Sequence, residues 1–152
     1  MNEPEVRVRE ADWRRDEAAL MAVRTAVFVD EQGVPAALER EERDAAAVHW
    51  LARTPAGMPV GTTRLLPDGQ IGRMAVLPAW RGRGIGTRLL NAALRAAATQ
   101  GLTSVYLHAQ CTALPFYARA GFSARGEVFE EAGILHRRME LDITEPGPGE
   151  HD

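Results

Sequence analysis

The chain has 152 residues, 45 % of them hydrophobic, and a net charge of -3. That is the length of one ordinary domain with a core of its own. The charge argues against a nucleic-acid partner, and no apolar run reaches the length that crosses a bilayer. The first residues, MNEPEVRVRE, have no apolar stretch of the signal-peptide kind, so the expected compartment is the cytoplasm and no membrane partner is expected. The single cysteine, Cys111, leaves neither an intrachain disulfide nor a cysteine-rich zinc site, and no metal is expected. All 18 basic residues are arginine, so the chain offers no lysine side chain to acylate on itself.

Val6 and Val8 alternate with arginines, which predicts a first strand with one buried face. Over residues 16–32, Leu20, Val23, Val27 and Phe28 recur at helical spacing, and Gly33 and Pro35 end the helix near Gln32. From Ala36 to Ala47 acids and arginines dominate, predicting a solvated loop or short helical turn. Its acidic run, Glu39, Glu41, Glu42 and Asp44, reads as a solvated face. Two β-like runs follow, Val48–Arg53 and Val60–Leu66, split by Pro55-Ala56-Gly57. The turn Pro67-Asp68-Gly69 leads into a third run, Gln70–Leu77.

Residues 84–100 give the clearest helix. Ile85, Leu89, Ala93 and Ala97 form one row and Leu90, Leu94 and Ala98 the next, with Gly101 at the C-terminal cap position. Then come a strand at Ser104–Ala109, a short helix at Ala113–Ala120 closed by Gly121, and a strand pair at Ser123–Phe129 and Ile134–Leu141. The tail, Thr144–Asp152, is rich in proline, glycine and acids and is expected to be disordered. Interleaved strands and helices point to an α/β or α+β sheet with helices packed on it.

The chemistry concentrates in Arg81-Gly82-Arg83-Gly84-Ile85-Gly86-Thr87, between a β run and the best helix. The first turn of a helix has unpartnered N–H groups and partial positive charge, which suits an anion. The glycines let backbone approach that anion, and the arginines supply forked donors. A P-loop needs a lysine, which is absent; the G-x-G-x-x-G fingerprint fails at Thr87 or at Leu89, depending on where it starts.

Arg81-x-x-Gly84-x-Gly86 after a β run resembles motif A of the GCN5-related N-acetyltransferase (GNAT) family, the motif that holds the pyrophosphate of coenzyme A. Met74-Ala75-Val76-Leu77-Pro78 looks like the family's bulged fourth strand. The stretch from Ala113 to Phe122, ALPFYARAGF, resembles its motif B. Val27–Pro35 (VFVDEQGVP) and the late Gly133-Ile134-Leu135-His136 resemble the ElaA/YjcF-like branch. The similarity runs from about residue 5 to residue 141, and residues 1–143 are expected to form one such domain.

The resemblance implies a GNAT fold, a mixed sheet splayed between its fourth and fifth strands with flanking helices, and acetyl-CoA as cosubstrate. Its implied binding residues are Met74, Ala75 and Val76, whose backbone would pair with the pantetheine arm; the turn Arg81, Gly82, Arg83, Gly84, Ile85, Gly86 and Thr87; and Gln110, Ala113 and Phe116. Gln110 stands where many members carry asparagine. Tyr117 matches the tyrosine that protonates the leaving thiolate; a phenol near pKa ~10 stays protonated where a thiol near ~8.5 leaves. For the base that deprotonates the acceptor, the candidates are Glu31, His49 and His136, with His108 ranked below them. Cys111 is not expected to carry an acetyl group. The expected reaction is direct transfer to an amine of a small molecule or peptide, and the resemblance allows a homodimer. The competing readings are a CoA-binding sensor without turnover, and an acyltransferase with another donor or acceptor.

Overall fold

The computed structural model of the protein describes residues 5–36 and 42–144. Residues 145–152 of the expected disordered tail, and Glu39 and Glu41 of the acidic run, lie outside the described residues.

In chain order the elements are β1 (Arg7–Ala11), α1 (Trp13–Arg24), β2 (Val48–Arg53), β3 (Pro59–Leu65), β4 (Ile71–Val76), α2 (Ile85–Thr99), β5 (Ser104–Gln110), α3 (Leu114–Arg119), β6 (Ser123–Glu131) and β7 (Ile134–Asp142). The first helix starts three residues earlier than its apolar spacing indicates, because Asp12 caps it. The Asp12 carboxylate accepts from Arg15 N–H at 3.0 Å, and the Asp16 carboxylate reaches back to Asp12 N–H at 2.9 Å. After Arg24 the helix widens into a π-helical stretch, Thr25–Glu31. Gly33 ends it at φ +78°, as expected.

Strands β1-β2-β3-β4 form an antiparallel sheet, and β5-β7-β6 form a second. One parallel bridge, Gln70 to Tyr106, joins the two. Tyr106 N–H donates to Gly69 O at 3.1 Å, and beyond that point β4 and β5 diverge. The expected splay between the fourth and fifth strands is therefore present. The register of β3 on β4 slips between Thr62 paired with Ala75 and Arg64 paired with Gly72. The extra residue lies at Arg73, held in the left-handed region at φ +50°, while Thr63 Oγ1 donates to Gly72 O at 3.0 Å. A bulge of this kind bends its strand away from the neighbour.

Helix α2 lays Ile85, Leu89, Leu90, Ala93 and Ala97 into the main core, with Val60, Leu65, Val105, Leu107 and Met139 from the sheets. Full burial of each large apolar side chain is worth roughly 1.5–3 kcal/mol. Gly61 lets α2 cross β3 closely, since a Cβ there would stand 3.1 Å from Leu89 Cδ1 and 3.2 Å from Ile85 Cγ2 and push on both. The π-helical turn covers the opposite face, with Val27 packed near Val23 and Ala75.

The reading of the acidic run as a solvated face fails at Asp44. Glu42 is exposed, but Asp44 is buried between Arg24 and Arg64, both buried as well. Arg24 donates to both Asp44 oxygens at 3.0 and 3.1 Å, and Arg64 Nη1 donates to Asp44 Oδ1 at 2.6 Å. Asp44 sits in a short 3-10 turn, Glu42–Ala46, that the chain folds back under β2 and β3. Pairing makes that burial tolerable.

Candidate functional site

The splay opens a cavity of about 850 Å³ that runs from the N-terminus of α2 between β4 and β5 to the β6–β7 end of the second sheet. Met74, Ala75, Val76, Arg81, Gly82, Gly84, Ile85, Gly86, Thr87, Gln110, Ala113 and Phe116 all line it, together with Tyr117 and His136. Arg83, Glu31 and His49 are not on its wall.

At one end stands the turn before α2. Gly82 and Gly84 take φ +78° and +80°, a conformation that L side chains rarely adopt. Gly84 is the N-cap of α2 and Arg88 N–H makes the first intrahelical bond, to Gly84 O at 3.1 Å. The amides of Ile85, Gly86 and Thr87 therefore head a 15-residue helix without intrahelical partners, beside the cavity. Phe116 closes against Gly86, where a Cβ would sit 3.4 Å from its ring. The cradle is thus made of main chain. Past Gln70 no strand among the described residues pairs with the β5-facing edge of β4, and the backbone groups of Met74 and Val76 border the slot, while those of Ala75 face Thr62 on β3 and Val76 O accepts from Arg81.

Both arginines make contacts within the chain. Arg81 turns back: its Nε donates to Val76 O at 2.8 Å, and its two terminal nitrogens bind both oxygens of Glu31 at 2.9 and 2.7 Å. Arg83 lies over the Trp80 ring, 4.7 Å from its centroid. The guanidinium of Arg81 holds the Glu31 carboxyl below the usual carboxylate range. Glu31 thus sits off the cavity wall with both carboxylate oxygens on Arg81, which reduces its basicity. His49 is off the wall too. It is buried in β2, stacked on Trp13 at 4.9 Å, and its Nε2 donates to Asp44 O at 2.8 Å. Burial pushes its pKa down, and it stays away from the cavity.

Tyr117 begins the second turn of α3 and is buried against Phe116 and Phe122, ring centroids 4.9 and 5.9 Å away. Burial pushes its phenol well above the ordinary value, so it remains protonated. No hydrogen bond joins its hydroxyl to another described residue.

The far end of the cavity is an imidazole-bearing wall. His136 on β7 is buried. Its Nδ1–H donates to Ile134 O at 2.7 Å and its ring stacks on Phe129 at 5.9 Å. His108 on β5 approaches the edge of the same Phe129, 5.2 Å between centroids, and its Nδ1 bonds Glu131 Oε1 at 3.1 Å. Both histidines and Glu131 line the cavity. Opposite them stand Val27, Phe28 and Gln32 of the π-helical turn, and Gln110 Nε2 donates to Gln32 Oε1 at 2.8 Å across the opening. Sequence reasoning ranked His108 last and passed over Glu131 and Gln32. Period-2 alternation on β5 puts His108 on the face opposite the buried Val105, Leu107 and Ala109, but the partner comes from another hairpin. No cluster of three or more metal-ligating side chains occurs among the described residues.

A family model described as an acetyltransferase (GNAT) domain matches residues 10–143. An uncharacterized N-acetyltransferase of Bacillus subtilis (strain 168), YjcF, is 37 % identical over 124 residues, covering 79 % of this chain and 88 % of its own. An acyl-CoA N-acyltransferase from Pseudomonas aeruginosa superposes with a TM-score of 0.77 at 34 % identity, covering 91 % of this chain and 99 % of that one. ElaA of Escherichia coli does so with a TM-score of 0.80 at 28 % identity, over 91 % and 100 % of the two chains.

Proposed function

The chain belongs to the GNAT acetyltransferase family and is an acyl-CoA-dependent N-acyltransferase, and from that premise we propose that it moves an acetyl group from acetyl-CoA to an amine of a small molecule or peptide by direct attack. Residues 1–143 act as one such domain, in the cytoplasm. The observation that carries this reading is the run of backbone donors and acceptors along one cavity, from the free edge of β4 to the head of α2.

Acetyl-CoA would supply the thioester; the chain supplies its binding and the proton traffic. The amides of Ile85, Gly86 and Thr87 hold the diphosphate, with the helix dipole behind them. The edge of β4 at residues 74–76 takes the pantetheine arm as an added strand. An amide there faces the thioester oxygen and stabilises the oxyanion that forms on attack. Tyr117 donates its proton to the departing sulfur. An imidazole of the far wall takes the amine proton; of the three base candidates, only His136 lies at the cavity, and the same wall carries His108. Arg81 braces the cradle through Glu31 and Val76, and Arg83 stacks beside it on Trp80.

The test is calorimetry with coenzyme A, followed by thiol release from acetyl-CoA with benzylamine, agmatine and glycylglycine as acceptors. Binding with amine-dependent thiol release is expected. No association with coenzyme A would overturn the proposal, and association without thiol release would make the protein a CoA binder.

A further inference from the structure

We propose that His108, held by Glu131, is the base that takes the proton from the acceptor amine; this rests on the N-acetylation reading above.

Four groups meet on one face of the second sheet. β5 contributes His108 and Gln110, β7 contributes His136, and β6 contributes Glu131, all on the cavity wall. A carboxylate can only accept, so the contact between His108 Nδ1 and Glu131 Oε1 puts the proton on Nδ1 and leaves the Nε2 lone pair for substrate. The same logic at His136, whose Nδ1–H is bound by the Ile134 carbonyl, also leaves Nε2 as the lone-pair nitrogen. The two differ in what would face the charge after protonation. His136 is buried against Phe129 and, among the described residues, has a carbonyl dipole as its hydrogen-bond partner. His108 is more open to the cavity mouth and its partner is a full negative charge. A base oriented by a third, anionic group is the arrangement that general-base sites use.

Two other charged or titratable neighbours, Tyr106 and Arg138, have partners apart from Glu131. Tyr106, on the same strand, lies 6.1 Å from His108 by ring centroid and bonds Asp68 and Gln70. Arg138, opposite His108 on β7, stacks over Tyr106 at 4.0 Å and donates to Glu140 at 2.8 Å. From β4, Arg73 lines the same cavity.

An acceptor ammonium loses two protons in becoming an amide. One passes to His108 Nε2 and on to solvent, freeing the lone pair that attacks the thioester carbon. The C–S bond breaks as the tetrahedral adduct collapses, and sulfur leaves with the electron pair and takes a proton from Tyr117. The second nitrogen proton, shed in that collapse, replaces the Tyr117 proton through solvent. Glu131 is a positioning residue: it fixes the tautomer and ring angle of His108.

The experiment is a pH profile of kcat/KM with acetyl-CoA and the fastest of benzylamine, agmatine and glycylglycine, in parallel with coenzyme A calorimetry. His108→Asn is expected to lower kcat/KM by roughly 10²–10⁴-fold and to remove the acidic limb of the profile. Glu131→Gln keeps an oxygen for Nδ1–H and is expected to retain the limb with less than about a tenfold loss, against a larger loss in Glu131→Ala. His136→Asn should keep the limb. Coenzyme A affinity is expected to stay near the native value in all four variants. A limb that survives in His108→Asn, or vanishes in His136→Asn, overturns the assignment while leaving acetyl transfer intact. Absence of coenzyme A binding or thiol release in the native protein overturns the transfer reading, and this one with it.

Discussion

The two ends of the cavity are built by different means. The cradle end comes from one continuous stretch, residues 74–87, and presents main chain: a free strand edge, two glycines at positive φ and the head of a long helix. The far end is assembled from the π-helical turn after α1, the end of β5 and the β6–β7 hairpin, and presents side chains. Main-chain binding tolerates changes of side chain but not of backbone conformation. Side-chain binding is the reverse, and it depends on the packing that brings distant segments together. One cofactor and many acceptors across a fold is what this division permits.

The sharpest way to break the far end is from beneath it. Asp44 anchors Arg24, the last residue of α1, and Arg64 on the cavity wall. Asp44→Ala leaves two buried guanidinium groups without their shared carboxylate, and a loss of roughly 3–5 kcal/mol is expected. A urea denaturation curve with unchanged slope and a much lower midpoint would show it. Stability within about 1 kcal/mol of native would mean that water reaches this cluster.

Next in size is Tyr117→Phe, which removes one hydroxyl from a packed site. A loss of roughly 10²-fold in kcat is expected, with the KM for acetyl-CoA nearly kept, because only the departing sulfur needs that proton. Steady-state kinetics decides it, and an unchanged kcat would remove Tyr117 from the chemistry. At the cradle, Gly84→Val forces a β-branched residue into φ +80°. The left-handed region costs such a residue roughly 1–2 kcal/mol, so coenzyme A should bind about tenfold more weakly by calorimetry while the helix behind persists.

The same division explains what could be read from the chain before folding. The strands, the long helix and the glycine turn rest on local patterning, period-2 and period-3.6 apolar repeats and glycines before the helix, while the splay was implied by the family resemblance. Each was legible, with edges displaced where a cap such as Asp12 outran the apolar repeat. Asp44 was misread because an acid in a charged run gives no local sign that two arginines, each 20 residues away, will enclose it. Glu31 and His49 were reasonable bases by residue type, but the groups that spend their lone pairs and protons, Arg81 and the Asp44 carbonyl, come from other elements. The contact between His108 and Glu131 was hidden for the same reason, since Glu131 lies 23 residues on in another hairpin.

The smallest expected effect belongs to a charged contact that joins the two ends. Glu31 closes the π-helical turn of the acceptor wall, and Arg81 opens the cradle. Both side chains are about two-fifths exposed, so the bidentate pair is worth no more than roughly 1 kcal/mol. Glu31→Gln should then raise the KM for acetyl-CoA by only a few fold, and the deficit should shrink further as salt screens the native pair. The sign with pH follows from the lowered Glu31 pKa. The pair contributes fully above the ordinary glutamate value near ~4.3 and is lost as pH falls through the lower folded value. Native protein and Glu31→Gln should therefore differ slightly in stability at pH 7 and converge in acid. A difference that grows on acidification would mean that the folded chain raises the Glu31 pKa instead of lowering it. A large loss of coenzyme A affinity at pH 7 would mean that the wall and the cradle move as one body through this pair, and the contrast between the two ends would have to be redrawn around it.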